Sequence, residues 1–152
     1  MGLLNRYEKI RMDKDAILKA ESRNRSGGKK RMNRTIRVSA AGDILIMKRL
    51  LPGYQDVLPI REFLMQGEVR MANLETTISD GSCYASAYSG GTWLTADAKC
   101  LEDTLRYGFN FLGISNNHTM DYSYEGLAST ISELKKKDVA YAGAGKNLYE
   151  AS

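Results

Sequence analysis

The chain is poor in the residues and runs that mark several protein classes. It has two cysteines, Cys83 and Cys100, in 152 residues. They are too far apart for a C-x-x-C pair and too few for a disulfide framework, which excludes a disulfide-stapled scaffold and fits a reducing compartment. Two prolines and 14 glycines exclude collagen-like and proline-rich disordered chains. Apolar runs stop at a handful of residues, as in Ile44-Leu45-Ile46-Met47. A membrane-spanning helix needs roughly 20 apolar residues in succession, so no transmembrane segment is expected. The basic start is not followed by an apolar stretch of about 7–15 residues, so no cleaved signal peptide is expected either. The compartment is left open between the cytoplasm and the periphery of the cell envelope.

What is present is the composition of a globular domain. Hydrophobic residues make up 43% and charged residues 26%, and the length suits one domain. The charge is unevenly placed. Residues 1–37 carry 12 Lys/Arg against 4 Asp/Glu, whereas residues 38–152 carry 10 against 14. A basic arm and linker, residues 1–35, therefore precede a mildly acidic domain, residues 36–152. Leu3, Leu4, Tyr7, Ile10, Ile17 and Leu18 fit a helical stripe with basic residues on the other faces. Ser22 to Arg34 lacks periodicity and contains Gly27-Gly28, the pattern of a flexible linker. Such an arm suits an anionic partner, or serves simply as a solvated extension. With Tyr7 as its one aromatic, it is poorly equipped to stack on nucleic acid.

From residue 36 onward, strand and helix patterns alternate, which predicts an α/β fold with a largely parallel sheet. Ile36–Ala41, Val69–Asn73, Phe109–Ile114 and Val139–Ala142 read as strands. Trp93-Leu94 reads as a short edge segment after a polar loop over 79–92. Leu58–Gln66 reads as a helix with Pro59 in its first turn and Gly67 past its end. Asp97 caps a helix that runs through Tyr107 and stops at Gly108. Ser123 caps the next, where Leu127, Thr130, Ile131 and Leu134 form an i, i+3, i+4, i+7 stripe and Lys135-Lys136-Lys137 suit the C-terminal dipole.

The chemistry sits where three of these strands end. The first leads into Asp43, the second into Asn73 and Glu75, and the third into Asn116, Asn117 and His118. Ligands in open α/β sheets bind at the carboxyl ends of strands. If the strands are neighbours, carboxylates, amide oxygens and an imidazole converge, a donor set that suits Mn, Fe, Zn or Mg rather than a soft thiolate metal. A bridging carboxylate could hold two such ions about 3.5–4 Å apart. Each position also has a plainer reading: Gly-Asp is a common turn, Glu75 could be a surface carboxylate, one Asn could take positive φ in a turn, and a lone histidine is often structural.

Gly42-Asp43-Ile44-Leu45, Asn73-Leu74-Glu75, Asn116-Asn117-His118-Thr119-Met120-Asp121-Tyr122, Glu125-Gly126-Leu127 and Gly143-Ala144-Gly145-Lys146-Asn147 follow one another in an order and spacing that resembles the CapA family. These are bacterial capsule synthesis proteins linked to poly-γ-glutamate capsules. The resemblance covers residues 36–152 and implies part of a calcineurin-like metallophosphoesterase fold, a sheet sandwich flanked by helices. It also implies roles. Asp43 would ligate one metal, Glu75 would bridge two, Asn73 would stand in or beside the first shell, and Asn117 would ligate the second metal. His118 would hydrogen-bond or protonate a phosphate-like oxygen, with Asp121 orienting it. Asn116 would pack the turn.

Members of that family continue beyond this point into histidine-containing motifs, and His118 is the single histidine here. The resemblance therefore implies an N-terminal portion with an incomplete site for one or two divalent ions, weak activity in isolation, and a half-built core open to self-association or to a completing chain. Three functions compete. One is a metal-dependent hydrolase acting on a phosphoester or an amide-linked capsule polymer. The second is a non-catalytic accessory protein for capsule polymer assembly or export, binding the polyanion through its basic arm. The third is a nucleic-acid or membrane-surface protein.

Overall fold

The computed structural model describes residues 34–89 and 91–152. The arm expected at residues 3–18, and the linker as far as residue 33, lie outside the described residues. Among those described, the element order is β1 (Val38–Ile44), α1 (Val57–Leu64), β2 (Val69–Leu74), β3 (Thr77–Ile78), β4 (Thr95–Ala96), α2 (Ala98–Leu105), β5 (Phe111–Gly113), α3 (Ser123–Lys136) and β6 (Ala140–Ala142). The fold is α/β with a parallel sheet flanked by helices. Its four-stranded sheet has the order β1-β2-β5-β6, and each neighbouring pair is parallel. The three strands that lead into polar residues are thus side by side.

Strand β1 runs further than its sequence suggests, to Ile44 rather than Ala41, and so contains Gly42 and Asp43 instead of ending before them. The extension is possible because the β1–β2 register slips between Ala40 and Asp43. Ala40 pairs with Met71 and Asp43 with Asn73, so β1 spends one extra residue there. This is a β-bulge, and Gly42 lies in it with open space where a Cβ would stand. The consequence is positional: Asp43 comes to rest directly opposite Asn73.

The helices follow local signals closely. Asp97 caps α2 as its residue type suggests, its side chain accepting from Lys99 N at 2.8 Å and Cys100 N at 3.1 Å. Gly108 follows the helix end at φ +97, a conformation that disfavours any other residue. In α3, Thr130 and Leu134 are buried, and Leu127 and Ile131 pack on the core. Ser123 does not cap α3. The cap is Tyr122, and Ser123 is the first helical residue with φ +55. The physical reason lies upstream: tight turns (Asp121 N to His118 O, Ser123 N to Met120 O) feed the backbone into the helix early, so that Gly126 N, the donor a Ser123 cap would serve, already bonds Tyr122 O.

A second, two-stranded parallel sheet pairs β3 with β4. The edge segment expected at Trp93-Leu94 is displaced to Thr95–Ala96, although Leu94 O still accepts from Thr77 N at 3.0 Å. Two-residue strands are too short to show an alternating pattern. The core runs between the two sheets and the helices, with Leu101, Leu112 and Leu134 fully buried and Ile44, Leu74, Ile78 and Ile114 nearly so. Cys100 lies within it and Cys83 is half-buried, both as free thiols. The loop after β1 is fastened to α2 by Arg49, whose Nε and a terminal nitrogen donate to buried Asp103 at 2.6 and 3.1 Å, while Leu50 N donates to the same carboxylate at 2.8 Å. Val38, Leu45 and Met47 in and after β1, and Leu58, Ile60 and Phe63 on α1, remain exposed. Among the described residues no helix is long and apolar enough to cross a membrane.

Candidate functional site

Alternation along β2 sets the first part of the site. Leu74 points into the core and is 5% exposed, so its neighbours Asn73 and Glu75 project to the other side. Glu75 N donates to Ile44 O at 3.2 Å, which carries the β1–β2 pairing one step past the strand. With Asp43 set opposite Asn73 by the bulge, the three polar side chains meet. Asn73 Nδ2 donates to Asp43 Oδ1 at 2.8 Å and to Glu75 Oε1 at 3.1 Å. The two carboxylate oxygens are therefore no farther apart than those two hydrogen bonds laid end to end. The amide offsets part of the repulsion between them.

The third strand end is stapled to this cluster. Asn116 Nδ2 donates to Asn73 Oδ1 at 3.0 Å and to Leu74 O at 2.9 Å, and its own Oδ1 accepts from His118 N at 3.0 Å. Asn116 thus orients Asn73, so that the Asn73 amide nitrogen faces the carboxylates. Thr119 locks the turn from inside, its hydroxyl accepting from Asn116 N at 2.8 Å and donating to Ile114 O at 2.9 Å. Asn117 lies exposed in the same turn, between Asn116 and His118.

His118 is buried, and its Nδ1 is 2.8 Å from Asp121 Oδ2. Asp121 is 1% exposed, and the same oxygen accepts from Leu94 N at 2.8 Å. Its backbone carbonyl accepts from Ser86 N, and Trp93 Nε1 donates to Ser86 O at 3.0 Å, so the polar loop is drawn onto this turn. An imidazole whose Nδ1–H is held by a carboxylate presents Nε2 to a ligand.

Three parts of this arrangement are absent from the sequence reading: the locking role of Thr119, the Leu94 amide on Asp121, and the side chain of Thr76 beside Glu75. Thr119 follows an Asn-Asn-His turn, a signal for a local hydroxyl–backbone bond that could have been read. The other two depend on the fold.

The donor chemistry fits a hard divalent ion in part. Two carboxylates with amide oxygens close by are oxygen donors of the right kind, and neither cysteine is near them in the chain. Among the described residues, no group of three or more His, Cys, Asp or Glu is placed to hold a metal ion. Asn73 Nδ2 holds the two carboxylates while its Oδ1 accepts from Asn116, and an amide oxygen carries a second lone pair beside that bond.

Comparison with known proteins agrees with the architecture. A family model described as bacterial capsule synthesis protein PGA_cap matches residues 37–152. Two proteins of Sinorhizobium fredii, the uncharacterized proteins y4sH and y4uA, are each 29% identical over 120 residues, covering 74% of this chain and 25% of their own length. The capsule biosynthesis protein CapA of Bacillus anthracis is 28% identical over 128 residues, covering 79% of this chain and 31% of its own. The chain thus spans about a quarter to a third of the length of these relatives. A match over residues 37–152, most of the chain, shows that it belongs to the bacterial capsule synthesis protein PGA_cap family.

Proposed function

We propose that this chain serves in capsule polymer biosynthesis and that Asp43, Glu75 and Asn117 are its contribution to a divalent-cation centre of the metallophosphoesterase type. The observation that supports this most is the hydrogen-bonded chain from Asp43 through Asn73 to Glu75 and Asn116, which gathers residues from three parallel strands at one sheet edge. Asp43 and Glu75 would hold the ion, with Asn73 keeping the two carboxylates in register. Such an ion, when bound, supplies Lewis-acid polarisation of a phosphoryl or carbonyl oxygen. His118, oriented by Asp121, would hydrogen-bond the substrate oxygen through Nε2 or donate a proton to a leaving group. The substrate class is a phosphoester or an amide-linked capsule polymer such as poly-γ-glutamate.

The test is metal content. The purified chain is equilibrated with Mn²⁺ or Zn²⁺ and desalted, and bound metal is counted by elemental analysis. Asp43→Ala and Asn117→Ala should each lower it, and unchanged content in both refutes the centre. A second reading, a non-catalytic accessory role in polymer assembly or export, draws on the basic excess of residues 1–37, 12 Lys/Arg against 4 Asp/Glu. It predicts that a polyanionic capsule polymer binds the full chain and not a variant lacking residues 1–37.

A further inference from the structure

Beside the cluster lies a small cleft with room for about one water molecule. Glu75, Thr76 and His118 line it, with Leu74, Ile114 and Leu127 supplying apolar wall. Thr76 is 2% exposed, and its hydroxyl oxygen is buried with no hydrogen-bond partner among the described residues. Its polar neighbours are already committed. Thr77 N donates to Leu94 O, and Ile78 N to the Thr130 hydroxyl, which itself donates to Gly126 O. A buried hydroxyl left unpaired is costly, and native structures rarely carry one without a solvent or ligand partner. His118, which also lines the cleft, has Nδ1 engaged with Asp121, which leaves Nε2 as the ring's remaining polar atom.

We infer that the Thr76 hydroxyl and the His118 imidazole hold one water molecule between them in this cleft, beside the Glu75 carboxylate, which deepens the reading above and rests on it only for the roles of Glu75 and His118. The hydrogen-bond count closes. The Thr76 O–H donates to the water, and the water donates one hydrogen to His118 Nε2 and keeps the other for Glu75. A water needs two to four polar partners to settle in a buried site, and these three groups supply them. Thr76 is then a positioning residue: it sets a solvent oxygen against the one imidazole of the chain, at the place where an oxygen of a ligand would replace it.

Crystals of the 152-residue chain that resolve ordered solvent test this directly, together with Thr76→Val and Thr76→Ser. A solvent peak within hydrogen-bond reach of Thr76 Oγ1 and His118 Nε2 is expected in the wild type and in Thr76→Ser, and none in Thr76→Val. Thr76→Val keeps the shape of the side chain and removes its hydroxyl. It should lower the urea midpoint if the hydroxyl is paired with water, and raise it if the hydroxyl is a true orphan. A dry cleft, a cleft filled by a rotated side chain, or a raised midpoint overturns the inference. Metal content separates the two ideas: a water present with no metal bound by the wild type sinks the centre alone, and a dry cleft with metal lost in Asp43→Ala sinks the water alone.

Discussion

Replacing Asp121 should be the most damaging single change near the candidate site, and the cost follows from its partners. One oxygen of this buried carboxylate accepts both Leu94 N and His118 Nδ1, each at 2.8 Å. Asp121→Ala strands both groups. A buried donor left unsatisfied costs about 1–3 kcal/mol, so two cost about 3 kcal/mol when partial relaxation and water entry are allowed for. Asp121→Asn retains an oxygen that can accept both bonds and gives up their charge assistance, about 1 kcal/mol. Urea unfolding followed by tryptophan fluorescence is a suitable assay, since Trp93, the one tryptophan, donates to the loop that Asp121 anchors. With a slope of about 2 kcal/mol per molar, the alanine variant should lose about 1.5 M in midpoint and the asparagine variant about 0.5 M. An alanine variant within 0.3 M of wild type, at about that slope, would refute the claim that this carboxylate pins the polar loop and the histidine turn together.

Other consequences are open to measurement. The Arg49 guanidinium hydrogen-bonded to Asp103 holds that carboxyl below its ordinary value of 3.8. A depressed carboxylate contributes stability that is complete above its unfolded pKa and is lost as pH falls through the folded one. Stability should therefore fall below about pH 4, and Asp103→Asn should flatten that acid limb in urea midpoints taken at pH 7, 4 and 3; parallel curves would contradict it. Gly67→Ala should destabilise by about 1–3 kcal/mol, because its Cβ would meet Ser39 N at 2.6 Å and Val69 O at 2.8 Å, both rigid backbone; a change under 0.5 kcal/mol in thermal or urea unfolding would count against it. Asn116→Ala should unfasten Asn73 from the turn while leaving the strands paired, lowering the unfolding free energy by about 1–2 kcal/mol and lowering metal content with it; retained metal would detach Asn116 from the proposed centre.

Much of the architecture was legible one element at a time. The Asp97 cap, the Gly108 stop and the stripe of α3 are local arrangements, settled within a few residues by backbone donors, φ angles and helical spacing, so a reader of the chain meets every partner at once. The polar residues after three strands were visible for the same reason. Ser123 has the residue type of a cap, but the turns that replace it begin at His118, outside the window in which a capping residue is recognised.

The sequence by itself determined which side chains stand at the strand ends and that the strands alternate with helices, because period and composition are properties of neighbouring residues. The tertiary structure alone decided that Asp43 faces Asn73, that Asn116 turns Asn73 toward two carboxylates, and that Leu94 serves Asp121. Those contacts join residues 27 to 43 positions apart. They depend on a one-residue bulge in β1 and on which strand lies next to which, and both are settled by packing across the whole sheet rather than by any local preference.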